Sequence, residues 1–298
     1  MKNIILNIDN KYVDYCCVFI ISCLKYNEAK FHILHNGLDC KSIEKIKSIC
    51  EPKGNVSFYQ IDSSLFKNMP VSEKWPEAIY YRILISEVLP KDIKRVLYSD
   101  CDVMIRGCID ELWETELEGF SVAAVEDVLS PIAPMSEILG CDPYNGYFNS
   151  GVMLINLDYW RENNISNKCL DYINDNLNII KHPDQDALNY VLNNTWKRVH
   201  CKWNFLSAYQ NLYYDEYHLM ADYEKKIKNY PVVIHFSGVK PWSSKCRSIY
   251  KYEYFKVITD SELDMVPPKK TYKDIIEFFL VFFLDKINLR KKKVNYFL

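Results

Sequence analysis

The chain has 298 residues, 49% of them hydrophobic and 26% charged, which excludes a disordered or fibrous protein and leaves ample material for a buried core. Its 37 basic residues are balanced by 39 acidic ones, and the net charge of −2 gives no electrostatic case for a nucleic-acid partner. Eleven cysteines, an odd number at irregular spacings without a CxxC pair, read as free thiols in a reducing cytosol.

The amino terminus turns polar too early for a secretory signal and has no small-residue cleavage site, so residues 4–8 are expected to form a first strand. Tyr15 to Leu24 reads as a helix that buries Cys16, Cys17 and Cys23 as small hydrophobes. Phe31 to Leu34 is a short strand. Ser42 to Cys50 has helical periodicity, with Ile43, Ile46 and Ile49 on one face and lysines opposite. Val56 to Ile61 alternates as a strand does. Ala78 to Leu84 reads as a helix, on which Arg82 taken alone is a surface charge. Ile93 to Tyr98 is a strand, and Val103-Met104-Ile105 resumes the apolar pattern. Phe120 to Val125 and Gly151 to Asn156 form a further strand pair, separated by a Pro-containing loop at 130–134 of the kind that shapes clefts. Alternation of strand and helix from the first residue predicts an α/β domain on a largely parallel sheet. Ligands of such sheets gather beyond the carboxyl ends of the strands, where Asp9 and Asp100 fall.

Tyr98-Ser99-Asp100-Cys101-Asp102 is the segment with the clearest chemistry. In extended backbone, residues i and i+2 project to the same side, roughly 6.6 Å apart at about 3.3 Å per residue. Asp100 and Asp102 can therefore converge on one cation. Two hard oxygen ligands suit Mg²⁺ or Mn²⁺, ions that commonly recruit substrate phosphates. Taken alone, the pair reads more simply as a solvated strand end.

The surrounding segments resemble, from about residue 3 to residue 245, the retaining, nucleotide-sugar-dependent transferases of glycosyltransferase family eight. The bacterial lipopolysaccharide galactosyl- and glucosyltransferases are the nearest in pattern. The resemblance implies a single GT-A type, Rossmann-like α/β domain over 1–265. Ile8-Asp9-Asn10-Lys11-Tyr12 resembles the family's first loop, in which Asp9 would accept the uracil imide N–H and Tyr12 would stack on the ring. Arg82 matches an arginine near the nucleotide-sugar. Asp100 and Asp102 match metal-binding carboxylates. His235 in His235-Phe236-Ser237-Gly238-Val239-Lys240-Pro241-Trp242 matches the third ligand, and imidazole favours Mn²⁺ over Mg²⁺. Gly238 would let backbone approach phosphate, and Lys240 would supply a point charge. The family commonly has two residues between that glycine and lysine, whereas only Val239 intervenes here. The expected nucleotide-binding set is thus Ile8, Asp9, Tyr12, Asp100, Cys101, Gly238 and Lys240.

Tyr147 to Asn156 resembles the family's F-N-[SA]-G-[VL] element, placing Asn149 toward the donor sugar and Gly151 where the chain approaches the cleft. His182 to Asn189 matches D-Q-D-x-[LF]-N, with Asp184 on sugar hydroxyls, Gln185 beneath the anomeric carbon, and Asp186 and Asn189 as scaffold groups. Asp127 is a further expected donor-hydroxyl ligand, with Glu126 the possible misalignment. Trp203 and Phe205 are expected on the acceptor side, core packing being their other reading.

The resemblance as a whole implies a metal-dependent retaining hexosyltransferase using UDP-galactose or UDP-glucose, with a glycolipid or oligosaccharide acceptor. Gln185 is a poor nucleophile, which favours front-face attack, with a covalent step at Asp184 as the fallback. Residues 266–298 form a separate tail. Its apolar run Phe278 to Leu284 is too short to span a bilayer, and it precedes the cluster Arg290 to Lys293. It is expected to lie as an interfacial helix on an anionic membrane, on the inner face of the plasma membrane, or else to dock on the domain or a partner. Two other classes stay open: a catalytically silent nucleotide-sugar-binding protein, and a metal-dependent phosphohydrolase, for which no water-activating group stands out.

Overall fold

The computed structural model describes residues 1–268 except 52, 68, 73–74, 128–138, 208–230, 247, 249, 262 and 267. The expected loop at 130–134 and almost all of the expected tail lie outside the described residues. The chain runs through β1 (Lys2–Asn7), α1 (Val13–Leu24), β2 (Ala29–His35), α2 (Cys40–Cys50) and β3 (Gly54–Gln60), then α3 (Ile85–Val88), β4 (Arg95–Ser99), β5 (Val103–Ile105) and α4 (Asp110–Trp113). It continues with β6 (Val122–Glu126), β7 (Phe148–Asn156), α5 (Leu157–Glu162), α6 (Ile165–Asp175), α7 (Pro183–Leu192), β8 (Trp196–Arg198), β9 (Phe205–Leu206), β10 (Val233–His235) and α8 (Lys251–Asp260).

Seven strands form one sheet in the order β3-β2-β1-β4-β7-β6-β8. β3, β2, β1 and β4 are parallel, β7 runs antiparallel to both β4 and β6, and β6 is parallel to β8. The sheet is therefore mainly parallel, as the alternation of elements predicts. The order turns at β1, whose neighbours are β2 on one side and β4 on the other, and sheets of this kind carry their ligand crevice past the carboxyl ends at such a position. A second sheet, β5-β10-β9, carries His235 at the end of β10. Two apolar layers cover the faces. One packs α1, α8 and the small sheet around Phe19, Phe31, Trp203 and Phe236, and the other packs α3, α5, α6 and α7 around Tyr80, Tyr98, Phe148 and Trp160.

Two helices begin two residues before their apolar periodicity suggests, and each has a local cause. Asp9 accepts from the N–H groups of Lys11 and Tyr12 at 2.8 and 3.1 Å, capping a 3₁₀ turn (Asn10–Tyr12) that runs straight into α1. Asp39 caps α2 by accepting from Ser42 N at 2.8 Å. The segment expected as a helix at 78–84 is a 3₁₀ helix, Glu77–Leu84, in which five consecutive side chains from Tyr80 to Leu84 are buried. Burial on every face, not one stripe, is what the helical reading of Arg82 as a surface charge lacked. All eleven cysteines are free thiols.

Arg161 on α5 holds the segment that joins this 3₁₀ helix to β4. Its guanidinium donates to the carbonyls of Ser86, Leu89, Pro90 and Ile93 at 3.1, 3.1, 3.1 and 2.9 Å. Those carbonyls close α3 and start the turn into β4, the strand that leads to Asp100. Replacing Arg161 by Ala is expected to lower the unfolding free energy by about 2–3 kcal/mol, measured by urea denaturation. A loss below about 0.5 kcal/mol would mean that water replaces the guanidinium at no cost.

Candidate active site

The end of β4, the start of β7, the end of β10 and the first turn of α7 meet at the crevice. Asp100 N–H donates to Gly151 O at 2.8 Å, which fixes the post-strand turn against β7. Asp100 Oδ1 then accepts from Arg82 at 2.8 Å and from the Tyr98 hydroxyl at 2.5 Å. Asp100 Oδ2 faces His235 Nε2 at 3.9 Å, and Asp102 Oδ1 faces it at 3.4 Å. Asp102 Oδ2 accepts from the Lys240 ammonium. Among the described residues, Asp100, Asp102 and His235 bring one ligand atom each within 4.8 Å of one another.

Gly151 explains how these groups come so close. A Cβ at that position would lie 2.8 Å from His235 Nδ1 and 2.9 Å from Asp100 Oδ2, distances that side-chain carbons do not tolerate. The glycine opens a cradle floored by backbone, with two carboxylates and an imidazole on its walls. Hard oxygens and one borderline nitrogen are the donor set of a Mn²⁺ or Mg²⁺ site, so these residues fit a divalent cation.

The charges are unevenly held. Burial pushes the Asp100 carboxyl above the usual carboxylate range, and the Arg82 guanidinium only partly offsets it. Burial would raise Asp102 as well, but Lys240 and His235 outweigh it and hold that carboxyl well below the usual range. Lys240 is raised in turn by Asp102 against the opposing effect of its own burial.

Arg82 links this cluster to α7. Its side chain is 8% exposed and sits between Asp100 and Asp184, whose Oδ2 is 3.1 Å from Nε in charge contact without hydrogen-bond alignment. Nη1 donates to Ser150 O and Oγ at 3.1 and 3.0 Å, and the guanidinium lies 4.6 Å over the Tyr98 ring. Next to Asp184, Gln185 is tied at both ends of its amide. Oε1 accepts from Ser150 N–H at 3.0 Å, while Nε2 donates to Asp127 Oδ2 and Tyr147 Oη at 3.2 Å each. Asp127 is buried and also accepts from Asn149 Nδ2 at 3.0 Å, whereas Glu126 pairs with Arg198 at 3.1 Å.

Asp186 accepts from the Tyr147 hydroxyl and from the N–H groups of Lys181 and His182, and Asn189 bonds both backbone groups of Phe148. These two are scaffold groups that bind α7 to β7. At the other side of the crevice, Ile8 is buried and its N–H joins Leu34 O at 3.0 Å. One Asp9 oxygen is spent on its loop, and Tyr12 sits edge-on to Trp242 with ring centroids 6.2 Å apart. Cys101 is buried between the two site carboxylates, its thiol toward Asn7 O. Gly238 has φ +78°, a left-handed backbone, with no protein atom within 4 Å of a would-be Cβ, so conformation requires glycine there. Across the one-residue gap, the Lys240 ammonium lies on Asp102.

Trp203 and Phe205 correct the acceptor-side expectation. They are 4% and 9% exposed and lie in the α1-side core, so neither offers a ring face for a sugar. Sequence reasoning missed Tyr98, Ser150 and Asn204, the last of which meets His235 Nδ1 at 3.0 Å through its Oδ1. In the sequence Tyr98 is visible only as a strand residue, and Asn204 only as a polar interruption between aromatics.

Residues 3–246 match the sequence model described as Glycosyl transferase family 8, and the chain belongs to that family. It is a glycosyltransferase. It is 32% identical over 288 residues to a lipopolysaccharide 1,2-glucosyltransferase of Escherichia coli, covering 91% of this chain and 82% of that one. It is 30% identical over 252 residues to a lipopolysaccharide 1,3-galactosyltransferase of Salmonella typhimurium, covering 81% and 73%. A crystal structure of galactosyltransferase LgtC in complex with donor and acceptor sugar analogues superposes with a TM-score of 0.78 at 24% identity, covering 89% of this chain and 97% of that one. The GT-A fold expected from the sequence is the fold shared with LgtC.

Gly151→Ala is expected to weaken Mn²⁺ binding at least about tenfold and to cost about 1–3 kcal/mol of stability, because both neighbours are pinned by other partners. Calorimetric Mn²⁺ titration and urea unfolding check this. Unchanged values in both would show that the cradle can widen freely.

Proposed function

We propose that this chain is a metal-dependent retaining hexosyltransferase that moves galactose or glucose from a UDP-sugar to a hydroxyl of a lipopolysaccharide-like surface glycan. The observation that carries the reading is the junction at Arg82: one guanidinium joins the Asp100, Asp102 and His235 cluster to Asp184 and Gln185. A cation site and a sugar site held at one fixed separation suit a substrate that is itself a diphosphate joined to a sugar. The glycan class rests on the names of the lipopolysaccharide transferases of Escherichia coli and Salmonella typhimurium.

In this reading Asp100, Asp102 and His235 hold Mn²⁺ or Mg²⁺, which when bound supplies Lewis-acid stabilisation of the departing diphosphate. Lys240 adds a second positive charge from the far side of Asp102, and the Gly238 turn exposes backbone to phosphate. Asp9 and Tyr12 receive the uracil ring. Asp127, Asn149 and Asp184 orient the donor sugar beside Arg82. Gln185 lies beneath the anomeric carbon as a fixed dipole, since both ends of its amide are held by Ser150, Asp127 and Tyr147. It cannot swing or ionise to act as a nucleophile. Asp184 would have to leave Arg82 to attack. Retention by front-face attack, with the leaving phosphate oxygen taking the acceptor proton, needs neither change.

No helix among the described residues is long and apolar enough to cross a membrane. The basic, aromatic segment 266–298 would bring the enzyme to an anionic membrane surface where lipid-linked acceptors lie, on the cytoplasmic side.

The test is UDP release by purified protein from a panel of UDP-sugars with Mn²⁺, with and without EDTA. The expected result is slow, EDTA-sensitive hydrolysis of one UDP-hexose, at least about a hundredfold faster with metal than without. Mn²⁺-dependent UDP binding with no turnover of any donor, with or without oligosaccharide acceptors, would overturn the enzyme reading in favour of a silent binding protein.

A further inference from the structure

We infer that Asn204 is a positioning residue that sets the tautomer of His235, so that the imidazole presents an unprotonated Nε2 to the cation. The inference rests on the reading of His235 as a metal ligand. Asn204 lies outside the segments that carry the sequence resemblance. Its place beside His235 is set by the small sheet, where β9 runs parallel to β10 with Phe205 opposite Ile234 and Leu206 opposite His235.

The orientation of each group is forced by the one before it. Gly151 N–H can only donate, and it meets Asn149 Oδ1 at 3.0 Å. That contact places the Asn149 amide oxygen toward the backbone and its nitrogen toward Asp127 Oδ2, an acceptor, at 3.0 Å. The Asn204 atom 2.8 Å from Asn149 Oδ1 must then be its NH₂ group. Asn204 Oδ1 therefore faces His235 Nδ1 at 3.0 Å, and an amide oxygen can only accept. The proton sits on Nδ1. In the neutral ring, which carries a single N–H, Nε2 is then the bare nitrogen left for a cation, and it lies 3.4 Å from Asp102 Oδ1 and 3.9 Å from Asp100 Oδ2.

Asn204 is fully buried, so no water stands ready to replace it. Flipping Asn149 would set its nitrogen against Gly151 N–H and its oxygen against the Asp127 carboxylate, and flipping Asn204 would set its oxygen against Asn149 Oδ1. The same Asp127 oxygen that orients Asn149 also takes Gln185 Nε2 at 3.2 Å. A buried relay thus runs from the imidazole to the amide proposed to lie beneath the sugar. An outer partner of this kind fixes ring orientation and raises ligand basicity, and its loss typically costs about 10–100-fold in metal affinity.

Long-range ¹⁵N–¹H spectra of the full chain without metal read the tautomer directly, with His235→Gln assigning the signal. A protonated Nδ1 is expected, and a neutral ring with its proton on Nε2 and a bare Nδ1 would overturn the inference. Calorimetric Mn²⁺ titration then compares two variants. Asn204→Leu, checked for folding by circular dichroism, is expected to bind about 10–100-fold more weakly. Asn204→Asp keeps an acceptor at Nδ1 but turns an oxygen toward Asn149 Oδ1, and is expected to bind between the Leu variant and the unmodified chain. A folded Asn204→Leu that binds as tightly as the unmodified chain, or an Asn204→Asp as weak as the Leu variant, would overturn it. If the unmodified chain binds no Mn²⁺ at all, the metal reading of the site falls, while the tautomer spectrum still decides the role of Asn204.

Discussion

A guanidinium buried between two carboxylates cannot be left with only one of them. Arg82 is held by Asp100 at the end of β4 and Asp184 at the start of α7, with Ser150 of β7 and the face of Tyr98 completing its surroundings. Removing either carboxylate would leave a desolvated charge short of a partner, a loss of several kcal/mol in buried pairs. The pairs are retained here because they tie three elements of different chain position to one atom group. The Asp100, Asp102 and His235 cluster and the first turn of α7 then cannot drift apart without exposing or stranding that charge.

The rest of the crevice is assembled around this junction by groups that are already structural. Asp9 caps its own 3₁₀ turn, Asp186 and Asn189 lash α7 to β7, and Gly151 yields the space into which His235 and Asp100 project. Local negative charge is only partly offset. Asp100, Asp102 and Asp184 face Arg82 and Lys240, three carboxylates against two fixed cations, which favours a further positive charge in the cradle. Under the proposed function, Lys240 would exchange Asp102 for an incoming phosphate.

Much of this crevice is legible in the sequence, where local rules and family motifs agree. Strand and helix alternation predicts the parallel sheet, and the Asp-x-Asp pair lies just past β4 as expected, although a turn and not extended backbone brings the two carboxylates together. What stays hidden depends on contacts distant along the chain. Arg82 reads as a surface charge until β7 and α7 close over it. Asn204 is 31 residues from His235 and meets it only through β9 and β10. Trp203 and Phe205 look like sugar-stacking rings in a polar stretch, yet the small sheet folds them into the core. Apolar periodicity places the onsets of α1 and α2 too late because it marks the packed face, while Asp9 and Asp39 cap earlier turns.

The most direct test is anomalous diffraction at the manganese edge from crystals grown with Mn²⁺ and UDP. The predicted result is a single strong peak in contact with carboxylate oxygens of Asp100 and Asp102 and with Nε2 of His235, with the Lys240 ammonium moved from Asp102 to the diphosphate. A peak that excludes His235, or UDP bound with Lys240 still on Asp102 and no metal in the cradle, would contradict the account of this crevice as a metal-assisted sugar-transfer site.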